Sequence, residues 1–179
     1  MFLKITLTVV AALAAFLIYV ATQDSNYQIS REILIQAPAE KIFPYVNNAQ
    51  KVNEWNPWME MDPKAKVTFS GPAEGVGTKT SWVDGEKLGT GSATVVEVEP
   101  NKRVRTQLEY RKPFEMTQFA EMSIRSEAGG SVVTWSVGGN NSFIGRLMCT
   151  LSRMSMDDMV GETFEKGLLK LKNRVEQST

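Results

Sequence analysis

The chain has 179 residues, 42% of them hydrophobic and 22% charged, which suits one folded domain with a short extra segment and excludes a mostly disordered polymer. The 20 basic residues balance 20 acidic ones, which argues against nucleic acid as a partner, because phosphate binding draws on a basic surface. Histidine is absent and Cys149 is the lone cysteine, so His-based triads, His-ligated metals, multi-thiolate sites and internal disulfides are excluded. No metal or cofactor is expected, and any chemistry would rest on carboxylates, Lys, Tyr, Ser/Thr or amides.

Residues 5–21 carry no charge, Gly or Pro, and this run sits at the short end of the length that spans a bilayer as a helix. A cleaved signal peptide is the rival reading. Cleavage after Ala21 would put Tyr19 where a small residue is wanted, which favours an uncleaved anchor. Lys4 precedes the run and the next basic residue beyond it is Arg31, so the positive-inside rule puts the rest of the chain outside the cytoplasm. The expected organisation is an anchor (or signal) with its linker over 1–25, then one domain over 26–179.

Strand-like alternation begins at Gln28–Ile35, where Ile29, Arg31, Ile33 and Ile35 share one face. Ala37-Pro38-Ala39-Glu40 starts a short helix with Ile42, Phe43 and Val46 on its apolar face. A second short helical piece ends in Trp55-Asn56-Pro57-Trp58. Six strand-like stretches follow, near 64–70, 76–83, 88–98, 102–111, 115–126 and 131–139, separated by Gly/Pro/Asn-rich turns. Their apolar/polar alternation predicts an antiparallel sheet with one wet face. From Phe143 to Val175 the period becomes helical, with Ile144, Leu147, Met148, Leu151, Met154, Gly161, Phe164, Leu168, Leu171 and Val175 near one stripe. This reads as a single helix of about thirty residues, roughly 45 Å long, lying across the sheet.

Four strings in this order carry a family likeness: Ile35-Gln36-Ala37-Pro38-Ala39-Glu40-Lys41-Ile42-Phe43, Trp55-Asn56-Pro57-Trp58, Gly75-Val76-Gly77-Thr78, and Gly161-Glu162-Thr163-Phe164-Glu165-Lys166-Gly167-Leu168. Over residues 26–177 the chain resembles the SRPBCC superfamily (START and birch-pollen-allergen-like folds), and within it the polyketide cyclase/dehydrase and lipid transport group. The resemblance implies an α+β helix-grip fold. In that fold a curved seven-stranded antiparallel sheet wraps a long C-terminal helix, with an apolar cavity between them; here a membrane-spanning N-terminal helix precedes it.

Several residues are placed to line such a cavity. Trp82 shares a strand face with Thr80, and Thr106 shares one with Tyr110. With Trp135 and Phe164 these aromatics suit either an apolar ligand or an ordinary core. Met116 and Gln118 share the inward face of the next strand, and a buried amide there needs neighbours, water or a ligand as partners. On the helix, Met154 and Gly161 fall on the inward stripe. Gly161 suggests close approach of sheet or ligand, since a mid-helix glycine costs about 1 kcal/mol against alanine. Asp157 lies near the same stripe, with Asp158 turned toward solvent. An inward Asp157 would be the best proton-transfer group in a chain without histidine. A structural Asp157 would instead pair with a sheet donor such as Arg105 or Lys79, or reach water. Lys166 and Glu162 are spaced for a surface pair. The loop at residues 71–77 is glycine-rich but lacks the Lys-Ser/Thr of a phosphate cradle.

The leading expectation is a membrane-tethered domain, not catalytic, that binds a small apolar molecule or lipid. The alternatives are a cyclase/dehydratase-like or hydrolytic enzyme using an inward acid, and a protein-interaction module using the outer sheet face.

Overall fold

A computed structural model describes residues 1–113 and 115–178, so Thr179, the last residue of the expected domain, lies outside the described residues. The seven strands are β1 (Asn26–Ile35), β2 (Lys66–Ser70), β3 (Lys79–Val83), β4 (Thr90–Glu99), β5 (Arg103–Lys112), β6 (Met116–Glu127) and β7 (Gly130–Asn140). They form one sheet in the order β1-β7-β6-β5-β4-β3-β2, and every neighbouring pair is antiparallel. The alternation seen in the sequence becomes sidedness: along β7, Ser131, Val133, Trp135 and Val137 are buried while their neighbours are not. Register carries that face across the sheet, pairing Met122 with Trp135, Thr106 with Ala120 and Tyr110 with Met116. Two register shifts in the β4–β5 ladder add local bend, as bulges do.

Three short helices follow β1, where two were expected: α2 (Ala39–Asn47), α3 (Ala49–Trp55) and α4 (Pro57–Met61). Two asparagines make the extra break. Asn48 Oδ1 accepts the backbone N–H groups of Gln50 and Lys51, and Asn56 Oδ1 accepts that of Trp58. Each thereby starts a new helix as its N-cap.

The single long C-terminal helix is corrected in the same way. The stretch forms α5 (Phe143–Ser152) and α6 (Met156–Gln177). Arg153 turns left-handed at φ 57°, and Ser155 and Asp158 form a reciprocal capping box that starts α6. The apolar stripe splits with it: Leu168, Leu171 and Val175 of α6 are buried, whereas Ile144, Met148, Leu151 and Met154 are exposed.

The core lies between α6, the inner sheet face and α2–α3. Ile35, Ile42, Val133, Trp55, Leu168 and Leu171 are buried there. The N-terminal helix α1 (Phe2–Thr22) contains the apolar run at 5–21 and is long and apolar enough to cross a membrane. Its side chains are largely exposed, apart from half-buried Phe16 and buried Val20, and it packs against α5. An Arg146 guanidinium nitrogen donates to the Gln23 carbonyl at 3.2 Å, and Asn140 donates to Ser25 at 3.1 Å, which ties the end of α1 to the domain.

Candidate functional site: a cavity under the sheet

A hollow of about 840 Å³ opens between the inner sheet face and helices α3 to α6. Its walls are overwhelmingly apolar, within the size range of small-molecule sites. The sheet side presents Thr80, Trp82, Thr106, Tyr110, Met116 and Gln118. Trp135 and Phe164 close one end. Their rings lie tilted against each other with centroids 4.3 Å apart, and Trp55 meets Trp135 edge-on at 5.4 Å. This aromatic group is the partition between the hollow and the solid core.

Eight predicted residues therefore meet in one place: Thr80, Trp82, Thr106, Tyr110, Met116, Gln118, Trp135 and Phe164 all line the cavity. Trp82 is fixed by its indole N–H, which donates to the Leu88 carbonyl at 3.2 Å, and by an edge contact with Tyr110. Leu88 is held in turn by Asp62, whose buried carboxylate accepts the backbone N–H groups of Lys87 and Leu88. Those N–H groups, that of Leu88 first, hold the Asp62 carboxyl below the ordinary aspartate range. Gln118 is buried, and its amide donates to Met116 Sδ at 3.0 Å, a weak acceptor.

Met154, Asp157 and Gly161 do not line the hollow. Met154 stands in the break between α5 and α6 and is 42% exposed. Asp157 faces the edge strand β1, where it takes a two-point contact from Arg31 at 2.9 and 2.8 Å, and Glu165 accepts the Arg31 Nε–H at 2.8 Å. The partner is thus neither Arg105 nor Lys79. The Arg31 guanidinium draws the Asp157 carboxyl below its ordinary range, the opposite of the upward shift an acid in an apolar cavity would show. Gly161 is buried against that same guanidinium, which a methyl group would overlap. Close approach explains this glycine, but the approaching group is Arg31, not a ligand. Glu162 and Lys166 form the expected surface pair.

The structure adds residues that the sequence reading passed over. Tyr27 extends the Ile29–Ile33–Ile35 face of β1 by one step and lines the cavity. Burial, and the neighbouring Tyr110, push its phenol up to about 12. Burial also raises the Tyr110 phenol. The Tyr27 hydroxyl and Asn53 Oδ1 are both shielded from solvent without a hydrogen-bond partner among the described residues. Alternation starting at Tyr27 was readable as a signal. On α5, Ile144 and Met148 of the expected inward stripe line the hollow, and Phe143 and Cys149 join them. Among the described residues no carboxylate lines it, and no three His, Cys, Asp or Glu side chains cluster to hold a metal ion.

The model of the family described as "Polyketide cyclase / dehydrase and lipid transport" matches residues 27–176. No curated protein matches the chain. Many solved structures share the fold. A protein from Mesorhizobium loti is 17% identical, with a TM-score of 0.59 over 86% of this chain and 99% of its own. The Aha1 dimer from Colwellia psychrerythraea is 20% identical, with a TM-score of 0.56 over 84% of this chain and 96% of its own. The di-domain ARO/CYC StfQ from the steffimycin biosynthetic pathway is 9% identical, with a TM-score of 0.59 over 87% of this chain and 52% of its own. At these identities the likeness is one of fold: the helix-grip arrangement of sheet and C-terminal helix.

Proposed function

The chain belongs to the polyketide cyclase/dehydrase and lipid transport family, and from that premise we propose that it binds a small, largely apolar molecule or lipid in the cavity, without transforming it, while α1 (within an anchor and linker over 1–25) holds the domain at a membrane. The observation that carries this reading is the hollow itself. A volume of about 840 Å³ walled by Trp82, Tyr110, Met116, Trp135 and Phe164 is left open beside a core that is otherwise packed. Apolar surface of that extent is stabilised by an apolar occupant, at roughly 25 cal/mol for each Å² taken from water. Polar groups are a minority of the lining, with Tyr27, Asn53, Tyr110, Gln118 and Thr106 among them, so the ligand class is a mainly hydrocarbon or aromatic body with a few hydrogen-bonding groups. Against the enzymatic alternative stands the position of Asp157, bound to Arg31 outside the cavity. Lys4, in the first turn of α1 and just before its uncharged run, favours a domain on the extracytoplasmic side.

The test is native mass spectrometry of the full chain in detergent, with binding of a fluorescent fatty-acid analogue measured alongside. A co-purified apolar molecule, or probe binding lost in Ala120→Trp, which puts an indole into the hollow, is the expected result. A wild-type chain that carries nothing and binds no apolar probe would sink the reading. Turnover of any substrate would move the chain to the enzyme class.

A further inference from the structure

The α5 helix poses a problem that the cavity alone does not explain. Ile144 is 52% exposed, Met148 57% and Leu151 64%, and Met154 and Met159 continue the patch at 42% and 44%. Contiguous apolar surface of this kind on a folded domain marks a face that something covers. Ile144, Met148 and Met159 also line the cavity, so being both lining and exposed they form the rim of its mouth.

Neighbouring structure narrows what lies over this face. The α5 helix packs on α1, whose one buried residue, Val20, lies near the end of the apolar span. Arg146 of α5 binds the Gln23 carbonyl at the end of that span. Only residues 23–25 separate α1 from β1, and three residues reach at most about 10 Å. A helix fastened there cannot be lifted away from a bilayer that α1 crosses. Charge agrees with this placement. From Phe143 to Met156 there is no acidic residue, and the only charges are Arg146 and Arg153. Lys87 and Lys112 also line the cavity, and neither forms an ion pair among the described residues. An apolar helix flanked by basic side chains suits an interface with anionic headgroups, and of the acids that follow it Asp157 is held by Arg31 and Asp158 by Ser155.

We propose that α5 lies in the headgroup–acyl boundary beside α1, so that the cavity mouth opens onto a phospholipid bilayer and ligand passes between bilayer and cavity along Ile144, Met148 and Met159. This rests on the binding reading and on α1 crossing the membrane, and it adds the source of the ligand and the route.

The test uses the full chain reconstituted in vesicles of mixed phosphatidylcholine and phosphatidylglycerol. In a Cys149→Ala background, single cysteines at Leu151, Met154, Leu13 of α1 and Glu127 of the far hairpin carry an environment-sensitive fluorophore, and spin-labelled lipid is the quencher. Quenching at 151 and 154 comparable to that at 13, with none at 127, is the expected result. Quenching at 13 but not at 151 or 154 overturns the proposal and leaves the anchor standing. No quenching even at 13 removes the anchor and the proposal together. Cross-linking between copies through 151, in place of lipid quenching, makes the face a self-association surface and likewise overturns it. In the unlabelled chain, Leu151→Glu with Met154→Glu should slow transfer of a fluorescent fatty-acid analogue from vesicles several-fold. Neither residue lines the cavity, so binding of the same probe in detergent should be unchanged. An unchanged transfer rate overturns the route, whereas a wild-type chain that fails to bind the probe in detergent locates the failure in the binding reading.

Discussion

From Gly167 onward α6 is packed solid against the sheet: Leu168 is 1% exposed, and Leu171 and Val175 are fully buried. Two turns earlier the same helix, through Met156, Met159 and Val160, borders an open hollow, and Met159 is 44% exposed. The sheet is continuous beneath both halves, so the difference comes from what holds the helix in place. In the C-terminal half, aliphatic side chains interlock and Gly167 lets Trp135 and Pro57 approach the helix backbone. In the N-terminal half, Arg31 of β1 pins the helix through Asp157 in its first turn and Glu165 two turns on, ion pairs that fix position without filling space. Trp135 and Phe164 stand between the two regimes. A domain of this size can thus keep one end hollow because the other end supplies its stability.

The sharpest way to break this contrast is one truncation at each end. Leu171→Ala should lower unfolding free energy by about 2–5 kcal/mol, since a fully buried leucine loses transfer energy and leaves a void. Met159→Ala should stay within about 1 kcal/mol, because its side chain already borders open space. Urea unfolding of both variants decides it; equal losses would mean that the hollow is as tightly packed as the core. A smaller effect sharpens the same contrast. Gly167→Ala places a methyl 2.7 Å from the Trp135 ring and 2.9 Å from Pro57. Overpacking of this kind costs about 1–3 kcal/mol, outweighing the roughly 1 kcal/mol that alanine gains over glycine in a helix. An unfolding midpoint at or above wild type would show that the aromatic partition can shift.

The sequence exposes the sheet more readily than the helices, for a physical reason. Strand period is two, so Met116, Gln118, Ala120 and Met122 declare a common face from spacing alone. The 3.6-residue period runs through Leu151 and Met154 without a break, and Arg153, which turns left-handed, is not the glycine that commonly marks such a turn. The signal that was present is the Ser155–Asp158 capping box, in which Asp158 appears as one of two adjacent acids. Asp157 was harder still. Helical spacing gives the angle of its side chain but not whether β1 or the cavity lies at that angle, and Arg31 is far away in sequence. Periodicity alone marks the exposed face of α5 as inward, because it reports a preference for an apolar neighbour and does not say which one.

Acid should act on the pinned half before the packed half. Arg31 holds the Asp157 carboxyl below the ordinary value of 3.8. A lowered carboxyl contributes stability that is present above the unfolded-state value and is lost as pH falls through the folded-state value. The melting temperature of the wild type should therefore fall more steeply below about pH 4 than that of Asp157→Asn, which lacks this titration. The ion pair is half-exposed, so the difference should be modest and should shrink with added salt. Identical acid limbs for the two proteins would show that Arg31 does not pin α6 in solution.

The smallest expected change in stability concerns the cavity wall. Tyr27 carries a shielded hydroxyl with no partner among the described residues, and burial with the nearby Tyr110 pushes its phenol up to about 12. Tyr27→Phe removes that oxygen and leaves the ring. Deleting a hydrogen-bonded buried hydroxyl costs about 1 kcal/mol, whereas deleting one without a partner removes an uncompensated desolvation cost and should leave stability equal or slightly higher. The alkaline limb gives the sign independently. A raised phenol contributes stability that is present below the ordinary value of 10.0 and lost as pH rises toward 12, so the wild type should weaken over that window more than Tyr27→Phe does. A loss above about 1 kcal/mol at neutral pH would mean that the hydroxyl has a partner in solution, such as water entering from the hollow. Adding an apolar probe separates the cases. If a cavity water holds the hydroxyl, expelling it with the probe should erase the difference between the two proteins; if the hydroxyl is unpartnered, the difference should stay near zero with or without probe.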